Sequence, residues 1–476
     1  MGGAARSVRQ VREVDGDRAV RATGDREERA AGGRTPWIGR DLAPWVALAL
    51  GAGLLLAAGV AGRSLRASGV LLHVQAPPFF AWVDPRLGPG SLAAVLVAGL
   101  VVAYGPRVAD SARWSVAVGT AAVAGVLWTT ALALSRGWLV GVARPLTAPS
   151  EYLSEVSGAP PVGELLRTFV ERIPSDAPDR WTSHVAGHPP GALLVYVGLD
   201  GVGLGGGPWA GVLSLVSAGV VVTATGVAVR ALCGEPAGRA VLPFAALFPG
   251  AVWMGVSADS VFAAVGALGL AVLGVAVAAG PGSGRVASAA AAGLVLGAGL
   301  FLSYGLVLLA VPALAVVVLR RAWDVLVVSA VVAAALVAAV GLAGFWWWEG
   351  LDVLHTRYLD GFGGERPWRY FVWAGLAGLV AVVGPAAVAG LGRLLAHRGP
   401  DPATTAARAL TLGALGAVLL AAASGLSKGE TERIWLPFAV WILVATVALP
   451  RRTVRWSLAA QALTGLLLEH LLWTPW

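Results

Sequence analysis

The chain has 476 residues, of which 57% are hydrophobic and only 13% are charged. Soluble domains carry about 25% charged residues, so this composition excludes an ordinary globular protein. The formal charge of +8 comes almost wholly from arginines in short connections between apolar runs, which is typical of membrane topology signals and not of nucleic-acid binding. A single cysteine, Cys233, excludes an intrachain disulfide.

The apolar runs are rich in Ala, Val, Leu and Gly, and many approach the ~20 residues that a membrane-spanning helix needs. Backbone groups in hydrocarbon must pair within their own segment, which favours helices. We therefore predict an all-α, polytopic transmembrane helical bundle. Its fourteen candidate runs begin near Trp45, Ser91, Trp114, Gly191, Trp209, Ala240, Val261, Val286, Gly305, Ala322, Phe371, Ala407, Ile434 and Trp456.

The first 43 residues differ in kind from the rest. They hold nine arginines and seven acidic residues, with almost no large apolar residue before Trp37. This composition predicts a disordered cytoplasmic tail over residues 1–43, followed by a transmembrane domain over residues 44–476. The protein is accordingly expected to be a multi-pass cell-membrane protein with a cytoplasmic N-terminus.

The arginine-rich connections should all lie on the cytoplasmic side. Strict alternation of fourteen spans violates this rule, because it places Arg320, Arg321, Arg451 and Arg452 outside. A re-entrant or half-depth helix over residues 191–204 restores the rule and leaves about thirteen spans. A weaker alternative makes the run from Ser91 the one that does not cross.

On the preferred topology, four polar segments share the outer face of the membrane. They are a long loop over residues 136–188, the turn at Asp259, a second loop over residues 345–370, and residues 427–433. Their convergence predicts a site at this face.

Three carboxylates are the candidate catalytic groups. Glu151 and Glu155 are four residues apart, so a surface helix would point both the same way, although a solvated helix face explains the spacing equally well. Asp259 falls at the end of an apolar run without a basic neighbour, where a carboxylate usually marks a site. A helix-capping role is the alternative for Asp259.

Several cations and histidines complete the candidate site. Lys428 is the only lysine, and with Arg433 and Arg366 it offers the groups that bind phosphates. A neutralised polar turn and a solvated loop are the alternatives for these cations. His184 and His188 lack the glutamate of a zinc-protease motif, so we predict no metal site from them. No phosphate-binding loop of an ATP-driven pump is present.

Four short motifs resemble, in their order, the polyprenyl-phosphate-dependent membrane glycosyltransferases of the type-C fold. That superfamily includes protein O-mannosyltransferases and the aminoarabinose transferase of lipid A. The motifs are EYLSE at residues 151–155, GHPPG at 187–191, SADS at 257–260 and ERIWLPF at 432–438. The resemblance covers roughly residues 136–450. The family's Asp-Glu pair is represented only by Glu151 followed by Tyr152, so Asp84 is a spare candidate for the catalytic acid.

The resemblance implies transfer of a sugar, with inversion, from a lipid-linked phosphate donor to a cell-envelope acceptor at the outer membrane face. The catalytic residues would be Glu151, Glu155 and Asp259. The substrate-binding residues implied are His188, Lys428, Glu432, Arg433 and Arg366. The partners would be the lipid-linked sugar donor and membrane lipids. A divalent cation remains open as a cofactor, since the sequence specifies no ligand set.

Two other functions compete with the transferase. A secondary transporter also has many helices, a broken segment near residues 205–208 and an intramembrane carboxylate, but no repeat is visible. A non-catalytic scaffold leaves the clustering of outer carboxylates and cations without a reason.

Overall fold

The computed structural model describes residues 38–397, 399 and 401–475. Residues from Ala43 onward form one compact unit. Most of the predicted cytoplasmic tail, residues 1–37, lies outside the described residues. The first helix begins at Ile38, six residues before the predicted start of the transmembrane domain at residue 44.

Helices account for most of the described chain. The first eleven are α1 (Ile38–Ala67), α2 (Ser91–Ser111), α3 (Trp114–Ala133), α4 (Leu153–Val156), α5 (Val162–Thr168), α6 (Ser183–Ala186), α7 (Pro190–Gly201), α8 (Gly207–Cys233), α9 (Glu235–Ala246), α10 (Ala251–Met254) and α11 (Ala258–Ala278). The remaining ten are α12 (Ser283–Gly299), α13 (Ala310–Arg320), α14 (Trp323–Leu342), α15 (Trp347–Asp360), α16 (Phe362–Glu365), α17 (Trp368–Ala396), α18 (Pro402–Ser424), α19 (Thr431–Ile434), α20 (Leu436–Ile442) and α21 (Val454–Leu471).

Short 3₁₀ and π segments and one small sheet connect these helices. The 3₁₀ segments are Leu134–Arg136, Pro145–Thr147, Val170–Arg172, Tyr304–Leu309, Leu443–Ala448 and Arg451–Thr453, and Leu139–Ala143 is π-helical. The strands are β1 (Trp82–Val83) and β2 (Leu472–Trp473), which pair antiparallel.

The all-α membrane class is confirmed, but the predicted number of spans is not. Within the described residues, eight helices are long and apolar enough to cross a membrane, namely α1, α2, α3, α8, α11, α14, α17 and α18. A bent pair, Leu436–Ala448 with Arg451–Leu471, adds a ninth if it counts as one span. The predicted count of about thirteen is not confirmed.

The difference arises because several apolar runs are short or broken. The bent pair changes direction by 114°, and the run from Gly305 divides into a 3₁₀ segment and the short α13. The run from Gly191 forms a helix of only 12 residues, α7, in agreement with a segment that does not cross fully. At its start the backbone approaches another segment closely, since a Cβ on Gly191 would lie 2.5 Å from the carbonyl oxygen of Phe301.

The helices differ greatly in how much of their surface is covered. The most apolar windows of α8 and α11 are 67% and 72% buried, whereas that of α14 is 11% buried. Thus α8 and α11 lie in the interior of the bundle, and α14 lies at its margin. Because α11 starts at Ala258, the interior position of this helix carries Asp259 to a buried location.

Arginines join helix ends at the end of the bundle away from Asp259. Arg239 donates from Nη1 to the carbonyl oxygens of Ala109 at 2.6 Å and Ala112 at 2.9 Å. Arg320 donates from Nη2 to the carbonyl oxygen of Leu232 at 2.5 Å. These contacts hold the arginine-rich connections together, which agrees with the prediction that they share one side.

Candidate active site

A cavity of about 400 Å³ opens where the four predicted polar segments meet. Each segment contributes to its wall: His184 from the long loop, Asp259 from α11, Arg366 from the second loop, and Arg433 from residues 427–433. The structure therefore brings together segments that are far apart in the chain. Many of the other lining residues are apolar, among them Phe262, Leu306, Val307, Leu351, Leu420 and Phe438.

Arg433 is the centre of the charged end of the cavity. It is 3% exposed, and its Nη1 donates to Oδ2 of Asp259 at 2.7 Å. Its Nη2 donates to Oε2 of Glu430 at 2.9 Å and to Nε2 of His184 at 3.2 Å. Burial lowers the pKa of the Arg433 guanidinium, but Asp259 and Glu430 raise it above its usual range, so the group stays charged.

Asp259 lies in the first turn of α11 with its side chain directed to Arg433. The N-cap of this helix is Ser257, and the carboxylate of Asp259 forms no cap hydrogen bond. The structure thus favours the site interpretation of Asp259 over the capping one. Asp259 lines the cavity, and in the described part of the chain its Oδ1 accepts no hydrogen bond.

Glu151 does not line the cavity but contacts His184, which does. It is 5% exposed, and its Oε1 lies 2.9 Å from Nδ1 of His184. The same Nδ1 lies 3.0 Å from the carbonyl oxygen of Ser150. Both neighbours of Nδ1 accept hydrogen bonds and Arg433 donates to Nε2, so the imidazole donates from Nδ1. Oε2 of Glu151 is buried and has no hydrogen-bond partner among the residues that the structure describes.

The electrostatic surroundings keep Glu151 ionised. Burial raises the pKa of its carboxyl, but the hydrogen bond from His184 and the charge of Arg433 lower the pKa below its usual value. Glu151 therefore holds the imidazole of His184 in one orientation.

Glu155, the second predicted acid of the long loop, lies outside the cavity wall. Its Oε1 accepts from the backbone N–H of Thr182 at 3.0 Å, and its Oε2 lies 3.8 Å from Nη2 of Arg172. These contacts fix the fold of the loop. The structure does not bring Glu155 to the other predicted catalytic residues.

Two glutamates two residues apart have different surroundings. Glu430 lines the cavity, adopts a left-handed conformation with φ of +58°, and lies between Arg366 and Arg433, which lower the pKa that burial would raise. Glu432, the predicted substrate-binding residue, is 0% exposed and does not line the cavity. Its Oε1 accepts from the backbone N–H of Phe80 at 2.7 Å. Burial raises the pKa of Glu432 to about 7.

Arg366 and Lys428 form the cationic rim of the cavity. Nη1 of Arg366 donates to the carbonyl oxygen of Lys428 at 2.6 Å, and Nη2 lies 3.4 Å from Oε1 of Glu430. The ammonium of Lys428 lies 5.7 Å from the ring centroid of Tyr358 and forms no ion pair with any described carboxylate. Burial and the charge of Arg366 lower the pKa of Lys428.

The close approach of Arg366 depends on Gly429. This residue has a φ of +81°, and a Cβ placed there would lie 3.0 Å from the guanidinium carbon of Arg366. Glycine is the residue that adopts this conformation without strain. The Ser-Lys-Gly-Glu sequence therefore brings Lys428 and Glu430 to either side of one arginine.

His188 also lines the cavity, as the first residue of the HPPG sequence. Its Nδ1 donates to the carbonyl oxygen of His184 at 2.9 Å and lies 2.8 Å from Oη of Tyr152. Burial lowers the pKa of His188, so the ring is neutral. Pro189 and Pro190 start α7 immediately afterwards, which fixes the direction of this loop.

The spare acid Asp84 and a metal ion are the remaining candidates for the site. Asp84, the spare acid, lies elsewhere, with Oδ2 2.6 Å from Arg86. No group of three metal-ligating side chains occurs among the residues that the structure describes. The carboxylates that face the cavity are paired with arginine, which leaves little negative charge for a cation.

Comparison with known proteins finds no matching family model and no matching curated protein.

Sequence reasoning missed two members of the site, His184 as the link between Glu151 and Arg433, and Glu430 as the carboxylate between two arginines. The spacing of His184 and His188 carries no signal for this contact. Glu430 and Glu432 are equivalent in the sequence, and only the left-handed turn at Glu430 separates them. The glycine at 429 was the available signal for that turn.

Proposed function

We propose that the protein transfers a sugar from a polyprenyl-phosphate-linked donor to an acceptor at the outer face of the membrane. The observation that carries the proposal is the amphipathic cavity, which has a cluster of cations and carboxylates at one end and an apolar wall elsewhere. A phosphorylated lipid has the same two parts.

The apolar wall supports a lipid ligand because it reaches the surface of the bundle. Val307 and Leu420 both line the cavity, and they are 41% and 53% exposed. These residues belong to the 3₁₀ segment Tyr304–Leu309 and to α18, which are apolar elements. A prenyl chain would leave the cavity sideways between them, while its phosphate stays at the charged end.

The charged end supplies the groups that the reaction requires. The acceptor oxygen attacks the anomeric carbon, the bond from that carbon to the donor phosphate breaks, and the electron pair leaves on the phosphate oxygen. Lys428 and Arg366 stabilise the charge that grows on this oxygen. Asp259 takes the acceptor's proton through Oδ1, since Arg433 holds Oδ2. Glu151 contributes by orienting His184.

The test is transfer of radiolabelled sugar from a panel of polyprenyl-phosphate donors by purified wild-type protein and the Asp259→Asn variant. We expect a loss of about 10²–10⁴-fold in the variant, because a general base is removed. Glu171→Gln is the matched control, since Glu171 is an exposed acid of the long loop. A Lys428→Gln variant should lower kcat more than it raises KM for the donor, because the charge that Lys428 stabilises grows in the transition state.

Consumption of no donor by the wild type would contradict the proposal. Full activity of Asp259→Asn would instead leave the transferase standing and remove Asp259 from the base role. The alternative function, a secondary transporter, is tested by solute uptake into proteoliposomes. No specific contact among the described residues favours transport.

A further inference from the structure

A second charged cluster lies apart from the cavity of the candidate active site. The carboxylate of Asp84 lies 2.6 Å from Nη1 of Arg86 and 3.5 Å from Nη2 of Arg136. Oε1 of Glu469 accepts from the hydroxyl of Ser135 at 2.5 Å and lies 3.8 Å from Nη2 of Arg86. The cluster joins the segment after α1, the end of α3 and the end of α21.

A separate cavity of about 160 Å³ adjoins this cluster. Arg136, Arg144, Glu469 and Trp473 contribute to its wall, and it shares no lining residue with the larger cavity. A water molecule occupies about 30 Å³ in the liquid, so the space holds a group the size of roughly five waters. A tetrahedral oxyanion fits this space.

The charges around the small cavity do not cancel. Two guanidiniums, of Arg136 and Arg144, and one carboxylate, of Glu469, line it. Arg86 and Asp84 lie outside this lining and pair with each other. Arg144 forms no ion pair with another described residue. The lining has one excess positive charge, which favours an anion.

The chemistry of the wall favours phosphate over other anions. Arginine forks match the oxygens of phosphate, and they retain their charge when partly buried. Arg136 stacks on Trp473 with its guanidinium carbon 5.5 Å from the ring centroid. Trp473 in turn lies 4.8 Å from Trp82 across the β1–β2 pair. Paired tryptophans are typical of the membrane interface, where lipid phosphates are concentrated.

We propose that this small cavity binds a phosphate group between Arg136 and Arg144, a site distinct from that of the proposed sugar transfer. Two sources supply such a group, the headgroup of an anionic lipid and free inorganic phosphate. The inference does not depend on the proposed function, because it concerns binding and not turnover.

The experiment measures ligand retention by the purified full-length protein. One arm counts phosphatidylglycerol molecules retained in native mass spectrometry after exchange into mixed phosphatidylglycerol and phosphatidylcholine micelles. The other arm measures inorganic phosphate binding by calorimetry in detergent. The variants are Arg136→Gln and Arg144→Gln, and the matched controls are Arg167→Gln and Arg180→Gln, two exposed arginines of the long loop.

Each basic residue near a lipid surface contributes about 1 kcal/mol, so each variant should weaken binding by about fivefold and the double variant by more than tenfold. Loss in the lipid arm alone identifies a headgroup, and loss in the phosphate arm alone identifies the free ion. Equal binding by variants and controls in both arms would overturn the proposal. Arg144 is exposed, so Arg144→Gln keeps the test interpretable if Arg136→Gln fails to fold.

Discussion

Ion pairs at the two ends of the bundle differ in how deeply they are buried. At the large cavity, the side chains of Arg433 and Asp259 are only 4% and 5% exposed. At the opposite end, Arg239 pairs with Glu235, whose side chain is 40% exposed, and also donates to carbonyl oxygens at helix ends. The first arrangement concentrates buried charge that a ligand can use, and the second lies in water and neutralises backbone dipoles. The burial of the pair, and not the number of arginines, separates a candidate site from a structural joint.

The largest effect is expected from Arg433→Met. The change leaves Asp259 and Glu430 buried without their shared cation, which costs about 3–5 kcal/mol of folding free energy. Thermal unfolding in detergent measures this loss, and transfer activity should disappear with it. Arg167→Met, at an exposed position, is the control and should change little. If the Arg433 variant is as stable as this control, the buried arginine contributes no more to the folding free energy than an exposed one does.

The next largest effect is the pH dependence of folding stability that Glu432 causes. Its pKa of about 7 in the folded protein lies above the ordinary value of 4.5, so the folded state holds the proton more tightly than the unfolded state. Stability is therefore greatest below the ordinary pKa and falls as the pH rises through 7. The full loss is roughly 3 kcal/mol at 1.36 kcal/mol per pKa unit.

A Glu432→Gln variant should remove this part of the pH dependence, because the amide oxygen still accepts from Phe80 and carries no charge. Unfolding temperatures from mildly acidic to mildly alkaline pH make the comparison, with Glu171→Gln as control. An unchanged slope in Glu432→Gln would assign the pH dependence to another group.

Gly429→Ala should lower the folding free energy by about 1–3 kcal/mol, because alanine is strained at positive φ and its Cβ would press on Arg366. The same change at Gly69, which has a φ of +86° but open space around it, carries only the backbone part of the cost. The difference between the two variants isolates the contact with Arg366. If they are equal, the guanidinium moves aside freely and does not form a fixed part of the cavity.

The smallest effect is expected at the opposite end of the bundle. Arg320→Gln removes one charged hydrogen bond to Leu232, which contributes on the order of 1 kcal/mol. Activity should be retained, since this residue is far from the cavity. Arg321→Gln is the neighbouring control. A large loss of activity in Arg320→Gln would break the distinction between the two ends.

The sequence predicted the helical membrane class and the meeting of four polar segments, because both follow from apolar runs and isolated charges. It did not predict the number of spans, since breaks such as that between α20 and α21 depend on packing of the whole bundle. The place of Asp259 in the cavity wall could be anticipated because a charge in an apolar run is conspicuous, and that of Arg433 because its polar segment interrupts two apolar runs. The different surroundings of Glu430 and Glu432, and of Glu151 and Glu155, depend on side-chain directions at the starts of helices of only four residues.

The pairing of β1 with β2 has a consequence for how the protein is made. Trp82 and Val83 follow the first helix, yet their partners Trp473 and Leu472 follow α21 and are synthesised much later. The backbone N–H groups of Asp84 and Arg86 likewise pair with the carbonyl oxygens of Leu471 and His470. The early loop thus stays unpaired until α21 has been synthesised and inserted. A ribosome stalled before α21 would hold a chain whose small phosphate cavity lacks one wall.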